Sequence, residues 1–138
     1  MSKLKSTVAK FPKDMELQLT KNFKLSEFKC QCNYASCKDT LIDLDHLAEL
    51  QKLRDEVGPL NITSAYRCEK HNKDVGGSPK SQHVLGTATD LQSKLMTPDE
   101  LAEACEYFNG LGYYDSFVHI DSRELDNKVA RWDFRSKK

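Results

Sequence analysis

The chain has 138 residues, of which 30% are charged in equal numbers of each sign, so its formal net charge at pH 7 is zero. That length suits one domain with a core of its own. The charge balance excludes a general nucleic-acid binder, which shows a basic excess, and offers nothing to an anionic membrane surface.

No apolar run reaches the length of a membrane span, and the start lacks the apolar stretch of a secretion signal. The expectation is a monomer that is cytoplasmic as synthesised and acts elsewhere only after release. Residues 1–21 are rich in lysine with little periodicity, and are expected to form an extended or poorly ordered arm. Residues 22–138 then form the single domain. Ser26 offers a cap for a short helix, with Phe23, Leu25 and Phe28 as apolar anchors.

Five cysteines follow: Cys30, Cys32, Cys37, Cys68 and Cys105. An odd number without a secretion signal favours reduced thiols. Cys30, Cys32 and Cys37 share a polar loop, where reduced thiols, a structural zinc knuckle and a disulfide stay open. No fourth ligand follows them at the usual spacing.

From Leu41 to Val57 the pattern is helical. Leu44, Leu47, Leu50 and Leu53 recur at helical steps, and Gly58-Pro59 stops the run. His46, set among charges, is expected to face solvent. Leu60 to Arg67 alternates as a half-buried strand does. The polar stretch from Cys68 to Lys80, with Gly76-Gly77 and Pro79, reads as a loop leaving the strand end, a common place for a site. Arg67 at that end is read as a fork-shaped cation for a substrate carboxylate, against the simpler alternative of a surface salt bridge.

The richest stretch is Ser81-Gln82-His83-Val84-Leu85-Gly86-Thr87-Ala88-Thr89-Asp90. A neutral imidazole and a carboxylate suit a borderline ion such as zinc. Gly86 and Ala88 leave the backbone room to fold back between them. Asp90 lies in a short strand-like run, which fixes the face of its side chain. Next, Thr97-Pro98-Asp99-Glu100 announces a helix by its cap, its first-turn proline and its acids. Leu101, Ala104, Cys105 and Phe108 give that helix an apolar face, and Gly110 is expected to close it. Gly112 to Ser116 reads as a turn into the strand Phe117-Val118-His119-Ile120-Asp121. Alternation there places Phe117, His119 and Asp121 on one face. The last segment has Trp132 as its large anchor, with Ala130-Arg131-Trp132 as an edge strand or lid.

Taken together, Ser64-Ala65-Tyr66-Arg67 and the two ligand segments resemble peptidase family M15. Its members are zinc D-alanyl-D-alanine carboxypeptidases, D-Ala-D-Ala dipeptidases and phage L-alanyl-D-glutamate endolysins. The signature Ser-x-His-x-x-Gly-x-Ala-x-Asp is met by Ser81, His83, Gly86, Ala88 and Asp90. The resemblance runs from about Asn22 to Trp132, and the segment from Gly112 to Asp121 looks like the M15A subgroup. It implies an α+β fold, with a small antiparallel sheet flanked by helices, as in hedgehog domains and D-Ala-D-Ala peptidases. It also implies one catalytic Zn2+ held by His83, Asp90 and His119, with a water in the fourth position. Arg67 matches the arginine that binds substrate or oxyanion, and Ser81 and Gln82 would line the cleft. The substrate so implied is a peptidoglycan stem peptide, cut by a carboxypeptidase or by a phage or prophage endolysin.

The chain departs from the family at the base. Where many members carry an acid three residues before the last histidine, it has Ser116. Three readings stay open: His119 is the ligand with Asp121 as its orienter or as base; Asp115 is the second candidate base; or Asp121 is the ligand and His119 supports it. The first is favoured, because two imidazoles and one carboxylate form the commoner catalytic set. The missing acid also keeps a second class of function in play, a non-catalytic zinc-binding module of the same fold that serves in binding or in a phage particle.

Overall fold

A computed structural model describes residues 4–124 and 129–136. Residues 1–3 of the expected arm, and 125–128 and 137–138 of the last segment, lie outside the described residues. The fold is α+β with two sheets. Strand β1 (Val8–Pro12) pairs antiparallel with β2 (Asp39–Asp43), from Val8 opposite Asp43 to Pro12 opposite Asp39. Helix α1 (Leu44–Val57), strand β3 (Leu60–Ser64), helix α2 (Glu69–Asp74), strand β4 (Ala88–Ser93) and helix α3 (Pro98–Ala104) follow. Three strands complete the chain: β5 (Gly110–Tyr113), β6 (Val118–Asp121) and β7 (Ala130–Asp133).

The second sheet runs β3-β4-β6-β5-β7 and is antiparallel except where β7 lies parallel to β5. Alternation gives this sheet two chemically different faces. Leu91, Leu111, Val118 and Ile120 are buried on one face, in a core shared with Leu47, Leu50, Leu53 and Leu101 from α1 and α3. The opposite face carries Asp90, His119 and Trp132. Their backbones fall in one transverse row, because Asp90 pairs with His119, His119 with Gly112, and Gly112 with Trp132.

Several elements differ from the sequence expectation, each for a physical reason. The segment expected as an arm carries β1, and it is also held by charge. Asp43, fully buried at the start of α1, receives Lys5 Nζ at 2.9 Å and the Thr7 hydroxyl. α1 begins at Leu44 rather than Leu41, since Leu41 and Ile42 are taken by β2. The stretch from Cys68 to Lys80 is not all loop, because Cys68 caps α2 through its sulfur, which accepts the His71 amide. α3 has the expected capping box between Thr97 and Glu100, but it ends at Ala104. Gly110 therefore opens β5 instead of closing a helix, and Gly112 and Tyr113 belong to that strand rather than to a turn.

His46 corrects the reading as a solvent-facing residue. It lies four residues before Leu50 and seven before Leu53, on the same helical stripe, and it is 2% exposed. Burial of an imidazole requires partners for both nitrogens. Ser122 Oγ lies 2.7 Å from Nδ1 and Thr89 Oγ1 lies 3.1 Å from Nε2.

Desolvation pushes the His46 pKa down to about 4, against the pull of Asp121 and Asp43. The unfolded chain binds the proton more readily, with a pKa of about 6.5. Stability from this group is therefore complete above about pH 6.5 and is lost as the pH falls towards 4, by on the order of 3 kcal/mol. Gln at this position can hydrogen-bond but cannot titrate. The His46→Gln protein is expected to show a flatter stability profile from pH 7 to pH 4 than the wild type, read by denaturant unfolding. Identical slopes would rule out a buried neutral imidazole.

Candidate metal centre

The motif from Ser81 to Asp90 builds half of the centre by folding back on itself. Its turn is closed by the Gly86 amide on the His83 carbonyl at 3.3 Å and by Thr87 Oγ1 on Gln82 Oε1 at 2.7 Å. Gly86 has φ of +79°, and a Cβ there would stand 2.7 Å from the Leu41 carbonyl oxygen. Both the conformation and the space demand glycine. The turn places His83 beside β3's end, where its Nδ1 lies 2.6 Å from the Ala65 carbonyl. That contact fixes the ring and leaves Nε2 facing Asp90 Oδ1 at 3.2 Å.

Strand pairing supplies the other half. Asp90 and His119 stand opposite each other on β4 and β6, a separation at which side chains on one face meet. His119 Nδ1 is 2.9 Å from Asp90 Oδ1. The ligand atoms of His83, Asp90 and His119 all lie within 4.8 Å of one another. The two imidazole rings stand edge to face, 5.1 Å between centroids. Two nitrogens and one carboxylate oxygen converging in this way fit the donor set of a catalytic zinc site with an open position. The donors are also held in advance, which is the usual mark of such a set.

Asp121 is buried behind this trio. Its Oδ2 is 2.8 Å from His119 Nε2, and its carboxylate takes both Nε and Nη2 of Arg123, each at 2.8 Å. The carboxylate lies over Gly110, where a Cβ would come within 2.2 Å of it. Asp121 thus occupies the position of a carboxylate that orients a ligating histidine. Burial alone would raise its pKa, but Arg123 and His119 hold the carboxyl well below the usual range. Asp90 is likewise raised by burial and held low by His119 and His83. Both carboxylates are ionised at neutral pH.

The trio opens on a cleft of about 860 Å³. Ser81, Gln82 and Arg67 line it, together with Tyr114, Arg123 and Trp132. Arg67 is half-buried, and desolvation lowers its pKa. Its buried Nε has no hydrogen-bond partner among the described residues, which leaves a donor for a ligand. Asp115 does not line the cleft; its carboxylate accepts the Ser136 amide at 3.1 Å. Asp121 is not part of the lining either, so Asp90 is the only carboxylate there among the described residues.

Arg123 is the functional candidate that the sequence reading missed. Its signal was local, since Asp121-Ser122-Arg123 places cation and carboxylate two residues apart. Trp132, read from sequence as an edge strand or lid, sits in β7 with its ring 5.0 Å from that of His119. Arg123 stacks over the same indole at 5.4 Å.

A family model described as Peptidase M15 matches residues 21–121. The match takes in the whole trio, Arg67 and Asp121, and ends before Arg123 and Trp132. No curated protein matches the chain. Peptidases of the matched family are generally zinc-dependent.

Proposed function

The chain belongs to the peptidase M15 family, and on that premise we propose that it is a zinc metallopeptidase that hydrolyses peptide bonds in peptidoglycan stem peptides, as a cell-wall endopeptidase or D,D-carboxypeptidase of the lysin type. The observation that carries this reading is the convergence of His83 Nε2, Asp90 Oδ1 and His119 Nδ1 in the lining of the cleft. The finer fold assignment, to the zinc fold of hedgehog domains and D-Ala-D-Ala peptidases, belongs to the same proposal.

Zinc held by these three residues supplies Lewis acidity to a peptide carbonyl and lowers the pKa of a bound water towards neutrality. The chain's own residues do the rest. Arg67 presents donors to a substrate carboxylate or to the oxyanion that develops on the attacked carbonyl. Lys80 adds positive charge to the same lining, whereas the Arg123 charge is spent on Asp121. Such a lining suits stem peptides, which carry free carboxylates. Ser81 and Gln82 flank the path, with the Gln82 amide oxygen fixed by Thr87. Asp121 acts through His119 as a positioning residue, keeping Nδ1 aimed at the metal.

Replacing Asp121 with Asn retains the shape and removes the charge. Metal affinity or turnover is expected to fall by about 10–100-fold. Asp115→Asn is the counterpart, since a base on the turn would require its turnover to fall as well. Loss in Asp115→Asn with none in Asp121→Asn would place the base on the turn.

The direct test is a digest of purified peptidoglycan with and without a chelator, read by mass spectrometry. Chelator-sensitive release is expected, with single D-Ala marking a carboxypeptidase and freed stem peptides or split cross-links an endopeptidase. One observation favours a second reading: no carboxylate other than Asp90 lines the cleft among the described residues. A zinc-loaded protein that releases nothing from several wall types would therefore be a binding module.

A further inference from the structure

We propose that Cys30, Cys32, Cys37 and Cys68 form a second metal site, a structural tetrathiolate Zn2+ centre separate from the His83–Asp90–His119 trio. The sequence places three of these cysteines in one loop and offers no fourth at the usual spacing. The fold supplies it. Cys68 caps α2 and brings its sulfur to the loop, so that all four Sγ atoms lie within 4.8 Å of one another. Cys105, the remaining cysteine, is buried in the core and takes no part.

The spacing of the sulfurs is specific. A zinc–sulfur distance of about 2.3 Å in a tetrahedron puts neighbouring sulfurs about 3.8 Å apart. Cys30 and Cys68 are 3.7 Å apart, and Cys68 and Cys32 are 3.8 Å apart. A disulfide would need about 2.05 Å. All four cysteines are free thiols in this structure.

Their surroundings offer hydrogen-bond donors to the sulfurs. The Cys68 amide donates to Cys30 Sγ and the His71 amide to Cys68 Sγ, each at 3.4 Å. Lys13 Nζ lies 3.4 Å from both Cys32 Sγ and Cys37 Sγ. Four thiolates around one divalent cation leave an excess of two negative charges. These amides and this ammonium are the groups that offset it. Soft sulfur ligands select zinc over magnesium or calcium.

The site would join three segments that are otherwise distant in sequence: Lys13 just beyond β1, the cysteine loop, and the start of α2. It would also fix the backbone next to Arg67. Cys68 follows Arg67 directly, and the Tyr66 amide donates to the Phe28 carbonyl at 3.1 Å. The metal here is a clamp behind the cleft.

The test is metal analysis of the full chain, purified under reducing conditions without chelator. The wild type is expected to carry about two zinc ions, and both His83→Ala and the Cys32→Ser/Cys37→Ser double variant about one each. Cobalt-loaded wild type and His83→Ala protein are expected to show sulfur-to-cobalt charge-transfer absorption, which the cysteine variant loses. Should that variant fail to fold, thiol titration of the wild type decides: four thiols are expected to become reactive only after chelator is added. A zinc content that the cysteine variant leaves unchanged, cobalt spectra without thiolate bands, or a mass showing a disulfide among the four would overturn the proposal. Neither the zinc count in His83→Ala nor the cobalt spectrum depends on peptidase activity.

Discussion

His119→Ala is expected to lose one equivalent of bound zinc and to lower turnover of peptidoglycan by at least on the order of 10³-fold, as befits several kcal/mol of metal-derived stabilisation of the transition state. The residue stands at the crossing of two supports. Its backbone pairs with Asp90 across β4 and β6, and its Nε2 is held by Asp121. Removal of the ring leaves Asp90 and His83 as two donors, too few to retain a catalytic ion, and leaves the Asp121 carboxylate with Arg123 as its remaining partner. Thermal stability and zinc content measured on the same preparation separate the outcomes. Retention of that zinc equivalent and of activity in His119→Ala would assign the third ligand to Asp121. Loss of both zinc and turnover in a folded protein supports His119.

Arg67→Ala is expected to keep its zinc and lose about 10²–10³-fold in kcat/KM, the range found when one donor to an oxyanion is removed. The guanidinium is half-buried, its Nε lacks a partner among the described residues, and its Nη1 comes within 3.2 Å of where a Gly77 Cβ would stand. Arg67→Lys preserves the charge but not the fork, so it should recover only part of the loss. Full recovery with Lys would mean that the position needs charge alone. No loss in either variant would return Arg67 to the ordinary role of a surface cation.

The residues from Ser81 to Asp90 were legible because their constraints are local. A histidine, a glycine with positive φ and a carboxylate within ten residues define a turn that can form from its own contacts. The Thr97 capping box is legible for the same reason, since its bonds span three residues. His46 was misread although its stripe was visible. A polar residue reads as exposed until its partners are known, and Thr89 and Ser122 lie 43 and 76 positions further on.

What the chain's sequence by itself determined is the family, together with the candidate ligand residues and the segments that carry them. Tertiary structure decided how those segments meet. The pairing of β4 with β6 set Asp90 against His119, 29 residues apart, and burial of the apolar face chose that register over a one-residue slip that would have turned both away. The return of β7 beside β5 brought Trp132 over His119. The cap of α2 carried Cys68 to a loop 38 residues earlier in the chain. Periodicity and caps are interactions within one turn of chain and are written in order along it. Partners across strands are chosen by which surfaces exclude water together, and only the folded chain brings those surfaces into contact.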